Sequence, residues 1–61
     1  MKKGEIFERL NPYTGKIERL TYTGTFREVK YVMYYFFETE DGRTVFFLPS
    51  EVKEFAAIVG S

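Results

Sequence analysis

Sixty-one residues make one small domain, and 44% apolar with 20% aromatic side chains is a globular rather than a disordered composition. Neither cysteine nor histidine is present, which excludes disulfides, Cys- or His-ligated zinc and every His-dependent nucleophile or acid–base pair. Nine basic and nine acidic residues cancel, so no net positive field favours nucleic acid.

The start, Met1-Lys2-Lys3-Gly4, is too short and too charged to read as a secretory leader. The longest apolar run, Tyr31 to Phe37, is seven residues, against the roughly 20 that a spanning helix needs. The expectation is a soluble, cytoplasmic protein with no membrane association. In Asn11-Pro12-Tyr13-Thr14-Gly15 the proline presets φ, the asparagine side chain can bond forward to the backbone, and the glycine accepts positive φ. Lying between Glu5–Leu10 and Lys16–Phe26, it predicts a hairpin. Along the second strand Leu20, Tyr22, Gly24 and Phe26 face one way; Arg19, Thr21, Thr23, Thr25 and Arg27 face the other. Gly24 predicts a bulge or bend there, with Thr23-Gly24-Thr25 as a turn the alternative. The link to the third strand is then expected near Arg27-Glu28.

The third strand is apolar on both sides. Tyr31, Met33, Tyr35 and Phe37 line one face, Val32, Tyr34 and Phe36 the other. Asp41-Gly42 reads as a two-residue hairpin loop. That register pairs Thr39 with Thr44, Glu38 with Val45, Phe37 with Phe46 and Phe36 with Phe47. Phe46 and Leu48 then join the first face, Val45 and Phe47 the second.

After Pro49 the period changes. Val52, Phe55, Ala56 and Val59 fall on one helical stripe, with Ser50 as cap, Glu51 in the first turn and Gly60 past the end. This predicts a helix over Glu51–Val59. The alternative is a single helical turn at Ser50–Val52 followed by a short fifth strand. The favoured architecture is therefore α+β, a four-stranded curved antiparallel meander with a C-terminal helix. The alternative is an all-β small barrel.

Two families resemble parts of this pattern. The run Thr44-Val45-Phe46-Phe47-Leu48-Pro49-Ser50-Glu51-Val52-Lys53-Glu54-Phe55 resembles the strand, proline corner and C-terminal helix of the PC4 coactivator and PUR-repeat folds. That resemblance implies a sheet that binds single-stranded nucleic acid. Leu48-Pro49-Ser50 followed by Val52 is similar to the corner before the last strand of an SH3-like barrel, with Asp41-Gly42 at the distal hairpin. Proline-peptide recognition does not come with this likeness, because the tyrosine-rich motif and acidic loop of peptide-binding SH3 domains are missing.

No residue set suggests catalysis. Asp41 is the sole aspartate and belongs to a turn, and Glu38 with Glu40, or Glu51 with Glu54, read as solvated polar pairs. No phosphate-cradling glycine loop occurs, and no cofactor or metal is expected. The aromatic surplus is what exceeds the needs of a core. It predicts a binding face of Tyr34, Phe36 and Phe47, rimmed by Arg27, Lys30 or Arg43. Such a face serves homodimerisation or a protein partner. The alternative is base stacking on single-stranded DNA or RNA, with the cations on the phosphates.

Overall fold

The computed structural model describes residues 1–57. Five strands and one helical turn follow in the order β1 (Ile6–Leu10), β2 (Ile17–Val29), β3 (Val32–Thr39), β4 (Thr44–Phe47), α1 (Pro49–Val52) and β5 (Ala56–Ala57). They form one antiparallel sheet in the order β4-β3-β2-β1-β5. The sheet is open, with β4 and β5 as its edges, so the closed barrel is not formed. Among the described residues no helix is long and apolar enough to cross a membrane.

The first hairpin follows its turn chemistry. The Asn11 side-chain oxygen accepts the Tyr13 N–H at 2.8 Å, and the Gly15 N–H donates to the Asn11 carbonyl at 2.8 Å. Within β2 the expected bend is present at Gly24, where φ is +83°. Three residues, Thr23 to Thr25, stand opposite Phe36 alone, and the ladder resumes at Phe26↔Tyr35. Because the ladder shifts by two residues, Tyr22 and Phe26 keep the same facing. The Thr23 hydroxyl donates to the Phe36 carbonyl at 2.9 Å and holds the bulge against β3. Glycine is needed here for a second reason. A Cβ at position 24 would stand 2.9 Å from the Lys3 Cβ, where the N-terminal segment crosses the bulge.

The β2–β3 turn differs from expectation. It lies at Lys30-Tyr31, not near Arg27-Glu28, and both residues have positive φ, 50° and 68°. Paired positive φ is the backbone of a tight turn usually supplied by Asn-Gly. The long cross-strand ladder, closing with Val29↔Val32, imposes it on two residues that do not favour it.

The third hairpin carries the correction that matters most. The Gly42 N–H donates to the Thr39 carbonyl at 3.0 Å and the Thr39 N–H to the Arg43 carbonyl at 2.8 Å. Glu40, Asp41 and Gly42 therefore form a three-residue loop, with Gly42 at φ +85° supplying the bulge position. The register is Glu38↔Thr44, Phe37↔Val45, Phe36↔Phe46 and Tyr35↔Phe47, one residue away from the expected pairing. A one-residue slip moves every side chain of β4 to the opposite face.

The core lies on one side of the sheet. Phe7, Leu20, Tyr22, Phe37 and Phe47 are buried, with Tyr35, Val45, Val52 and Phe55 packed against them. Most of the packing is edge-on aromatic: Phe37–Phe47 at 5.8 Å, Phe47–Phe55 at 5.0 Å and Phe7–Phe37 at 5.9 Å between ring centroids. The Arg9 guanidinium caps this cluster 4.8 Å above the Phe47 ring and pairs with Glu18 at 3.4 Å.

The long helix does not form across residues 53–57; its positions Ile58, Val59 and Gly60 lie outside the described residues. Helical structure ends at Val52, and Ala56 and Ala57 pair with Glu8 and Phe7 of β1. Phe55 explains the change, since it inserts between Phe7, Phe37 and Phe47 and draws the following alanines alongside β1. Burial of that ring and pairing of the β1 edge outweigh the helical stripe. Ser50 is not the cap. The N-cap position is Leu48, whose N–H donates to the Glu51 carboxylate at 3.0 Å.

Candidate binding face on the outer side of the sheet

The one-residue slip decides which aromatics are available. Phe47, expected on the open face, is in the core at 8% exposure, whereas Phe46, expected in the core, is 58% exposed. Tyr34 and Phe36 are half-buried on the outer face of β3, as expected. Phe46 joins them: its ring is 5.4 Å from Tyr34, edge to face, and 6.1 Å from Phe36. The three rings thus form one outer cluster across β3 and β4.

Arg27 lies opposite Tyr34 on β2 and borders the same cluster. With Val29, Tyr34, Phe36 and Phe46 it lines a shallow cleft of about 290 Å³. Val29 and Val32 extend the apolar surface toward the Lys30-Tyr31 turn, at 48% and 40% exposure. Beyond Arg27 the cleft continues past Thr23, Thr25 and Thr44, so one wall is apolar and the other hydroxylic. The core-side elements, Val52 of α1 and Phe55, pack on the opposite face. No described element crosses the outer one.

The remaining cations are placed differently. Lys30 sits in the exposed turn at the end of the apolar surface. Arg43 is tied into its own hairpin by Asp41, 2.9 Å away, and is not brought to the cluster. The Thr39 hydroxyl donates to the same carboxylate, and this bond, with Arg43 adding to it, holds Asp41 below the usual carboxylate range. The structure therefore gathers Tyr34, Phe36 and Arg27, leaves Lys30 at the margin, and separates Phe47 and Arg43 from the face.

The residue missed by the sequence reading is Phe46. A signal for it existed: β4 reads Thr44-Val45-Phe46-Phe47, and assigning polar Thr44 to the outside carries Phe46 with it. A second aromatic opening lies on the core side. There Phe26, 57% exposed, meets Tyr35 at 6.3 Å beside Met1, Pro49 and Val52. Burial raises the phenol of Tyr22 at the floor of that opening. Among the described residues no group of three or more acidic side chains is placed to hold a metal. Compared with protein-family models, with characterised proteins and with solved structures, the chain matches none.

Proposed function

We propose that this protein is a non-enzymatic binding module whose outer sheet face docks against another protein surface, either a second copy of the chain or a different partner. The observation that carries this reading is the cluster of Tyr34, Phe36 and Phe46, continuous with Val29 and Val32 and bearing Arg27 as its charge. Contiguous aromatic and aliphatic surface with one arginine is the composition enriched at protein interfaces. The rings also lean on one another edge to face, which suits a packed contact better than separate stacking platforms.

The test is Phe36→Asp, which places a carboxylate in the middle of the cluster. Where the face packs on a second copy, wild type runs near twice the chain mass and the variant at the monomer, with its fold retained. Where it packs on another protein, the variant loses that partner in pull-down. A variant that keeps both the wild-type mass and the wild-type partners removes the face reading.

Arg27 supports a second reading. Among the described residues it makes no ion pair, and it borders Tyr34 and Phe36. A base stacked on Tyr34 with its phosphate on Arg27 or Lys30 fits the same surface. Single-stranded DNA and RNA titrated at low salt test it. Tyr34→Ala weakens binding by about 1–3 kcal/mol if it stacks, and Arg27→Ala lowers the salt slope by about one. Absence of binding at low salt ends this reading.

A further inference from the structure

The β4 edge is short, four residues, and carries no charged or proline residue that would keep an exposed edge strand from pairing. Thr44 to Leu48 contains no charge, no proline and no glycine, and among the described residues no strand lies on its outer side. The backbone parity of the strand is set by its hairpin. The Thr39 N–H donates to the Arg43 carbonyl across the strands, so by alternation Phe37↔Val45 and Tyr35↔Phe47 are the hydrogen-bonded pairs of the ladder. Thr44 and Phe46 therefore direct their N–H and C=O groups away from β3. The next outward donor, the Leu48 N–H, is already taken by the Glu51 carboxylate. The Leu48 carbonyl accepts from Glu51 and Val52 at 3.0 Å. The free edge is thus two residues of matched donors and acceptors, bounded on one side by a loop and on the other by a cap.

From this we infer that β4 pairs antiparallel with β4 of a second copy across a two-fold axis at Val45. Thr44 of each chain stands opposite Phe46 of the other, so every free edge group of both residues is satisfied. A register centred on Phe46 would set Thr44 opposite Leu48, whose donor and acceptor are occupied; the cap at Leu48 therefore selects the register. Self-complementarity makes the interface isologous. Both Phe46 rings fall on the outer face of one continuous sheet, bringing the two aromatic clusters side by side. The inference goes beyond the face reading, since its bonds come from the strand edge and leave the face open.

Thr44→Pro removes one outward donor and no bond to β3, a substitution that an edge strand tolerates. Solution mass across a concentration series is expected to reach twice the chain mass for wild type and to stay monomeric for Thr44→Pro. Phe36→Asp remains dimeric if the edge alone holds the copies. Amide exchange on wild type gives a readout independent of the variant. The Thr44 and Phe46 amides slow about tenfold or more as concentration rises, whereas the Leu48 amide, bonded within the chain, does not change. A dimer that persists in Thr44→Pro but is lost in Phe36→Asp overturns edge pairing and leaves the face reading standing. A wild type that is monomeric throughout, or Thr44 and Phe46 amides indifferent to concentration, also overturns it.

Discussion

Phe36 stands opposite Phe46 across the β3–β4 ladder, and their rings lie 6.1 Å apart on the outer side of the sheet. Phe47, the next residue in the chain, points the other way into the core, where it touches Phe37 and Phe55. Two adjacent phenylalanines thus divide the work of the strand: one holds the fold and the other faces outward. The division rests on a single loop residue.

That division predicts unequal costs. Phe47→Ala should lose about 3–5 kcal/mol, as expected for deleting a buried aromatic ring. Phe46→Ala should lose about 1 kcal/mol or less, the range for a surface site. Chemical denaturation of the two variants decides it, and equal losses would contradict the register.

Gly24 is constrained twice, by its φ of +83° and by Lys3 crossing above it. Gly24→Ala is expected to destabilise by about 1–2 kcal/mol or more. Adding Lys3→Gly removes the 2.9 Å clash but not the backbone strain, so the double variant should recover part of the loss. The thermodynamic cycle separates the parts. Full recovery would assign the whole cost to the clash, and no recovery would assign it to φ.

The Lys30-Tyr31 turn holds two ordinary residues in the left-handed region. Tyr31 is 98% exposed, so its side chain offers little packing in return. Lys30→Asn with Tyr31→Gly should raise stability by about 1 kcal/mol by relieving that strain. An unchanged or lower melting temperature would argue against the turn geometry.

Asp41 gives a pH signature. Its carboxyl is depressed, first by the Thr39 hydroxyl and then by Arg43. A depressed carboxylate stabilises the folded hairpin above the usual aspartate range, and that contribution is lost as pH falls through the depressed value. Thr39→Val should move the Asp41 titration upward toward the ordinary range. Carbon-detected NMR titration reads this directly, and an unmoved midpoint in Thr39→Val would remove the hydroxyl as the cause.

How much of this was legible in the sequence depended on whether the deciding residue carried local chemistry. Asn11 through Gly15 and Gly24 did, and their turn and bulge are where the residues indicated. Lys30-Tyr31 carries none, since its geometry comes from strands on either side. Asp41-Gly42 was ambiguous, because the same dipeptide serves a two-residue loop or the end of a three-residue one. The shorter loop exchanges Phe46 for Phe47, and Arg43 is held in its own hairpin by Asp41, whereas Tyr34, Phe36 and Arg27 do lie together on the outer side of the sheet. Beyond Pro49 the helical stripe was real as a pattern. Phe55 falls on that stripe, and what it does in the fold is anchor a strand.

The strand order also has a kinetic consequence. Three of the four pairings join strands adjacent in the chain, and the fourth brings Phe7 to Ala57, fifty positions apart. Closing that long loop costs more chain entropy than forming any hairpin, and only two residue pairs of ladder reward it. Phe55 offsets the cost by entering a pocket that Phe7, Phe37 and Phe47 have already built. The meander is therefore expected to assemble first and the β5 end to latch onto it afterwards. On that order Phe55→Leu speeds unfolding and leaves the refolding rate nearly unchanged, whereas slowed refolding would place the latch in the folding nucleus. The same latch is then the first part of the sheet to open.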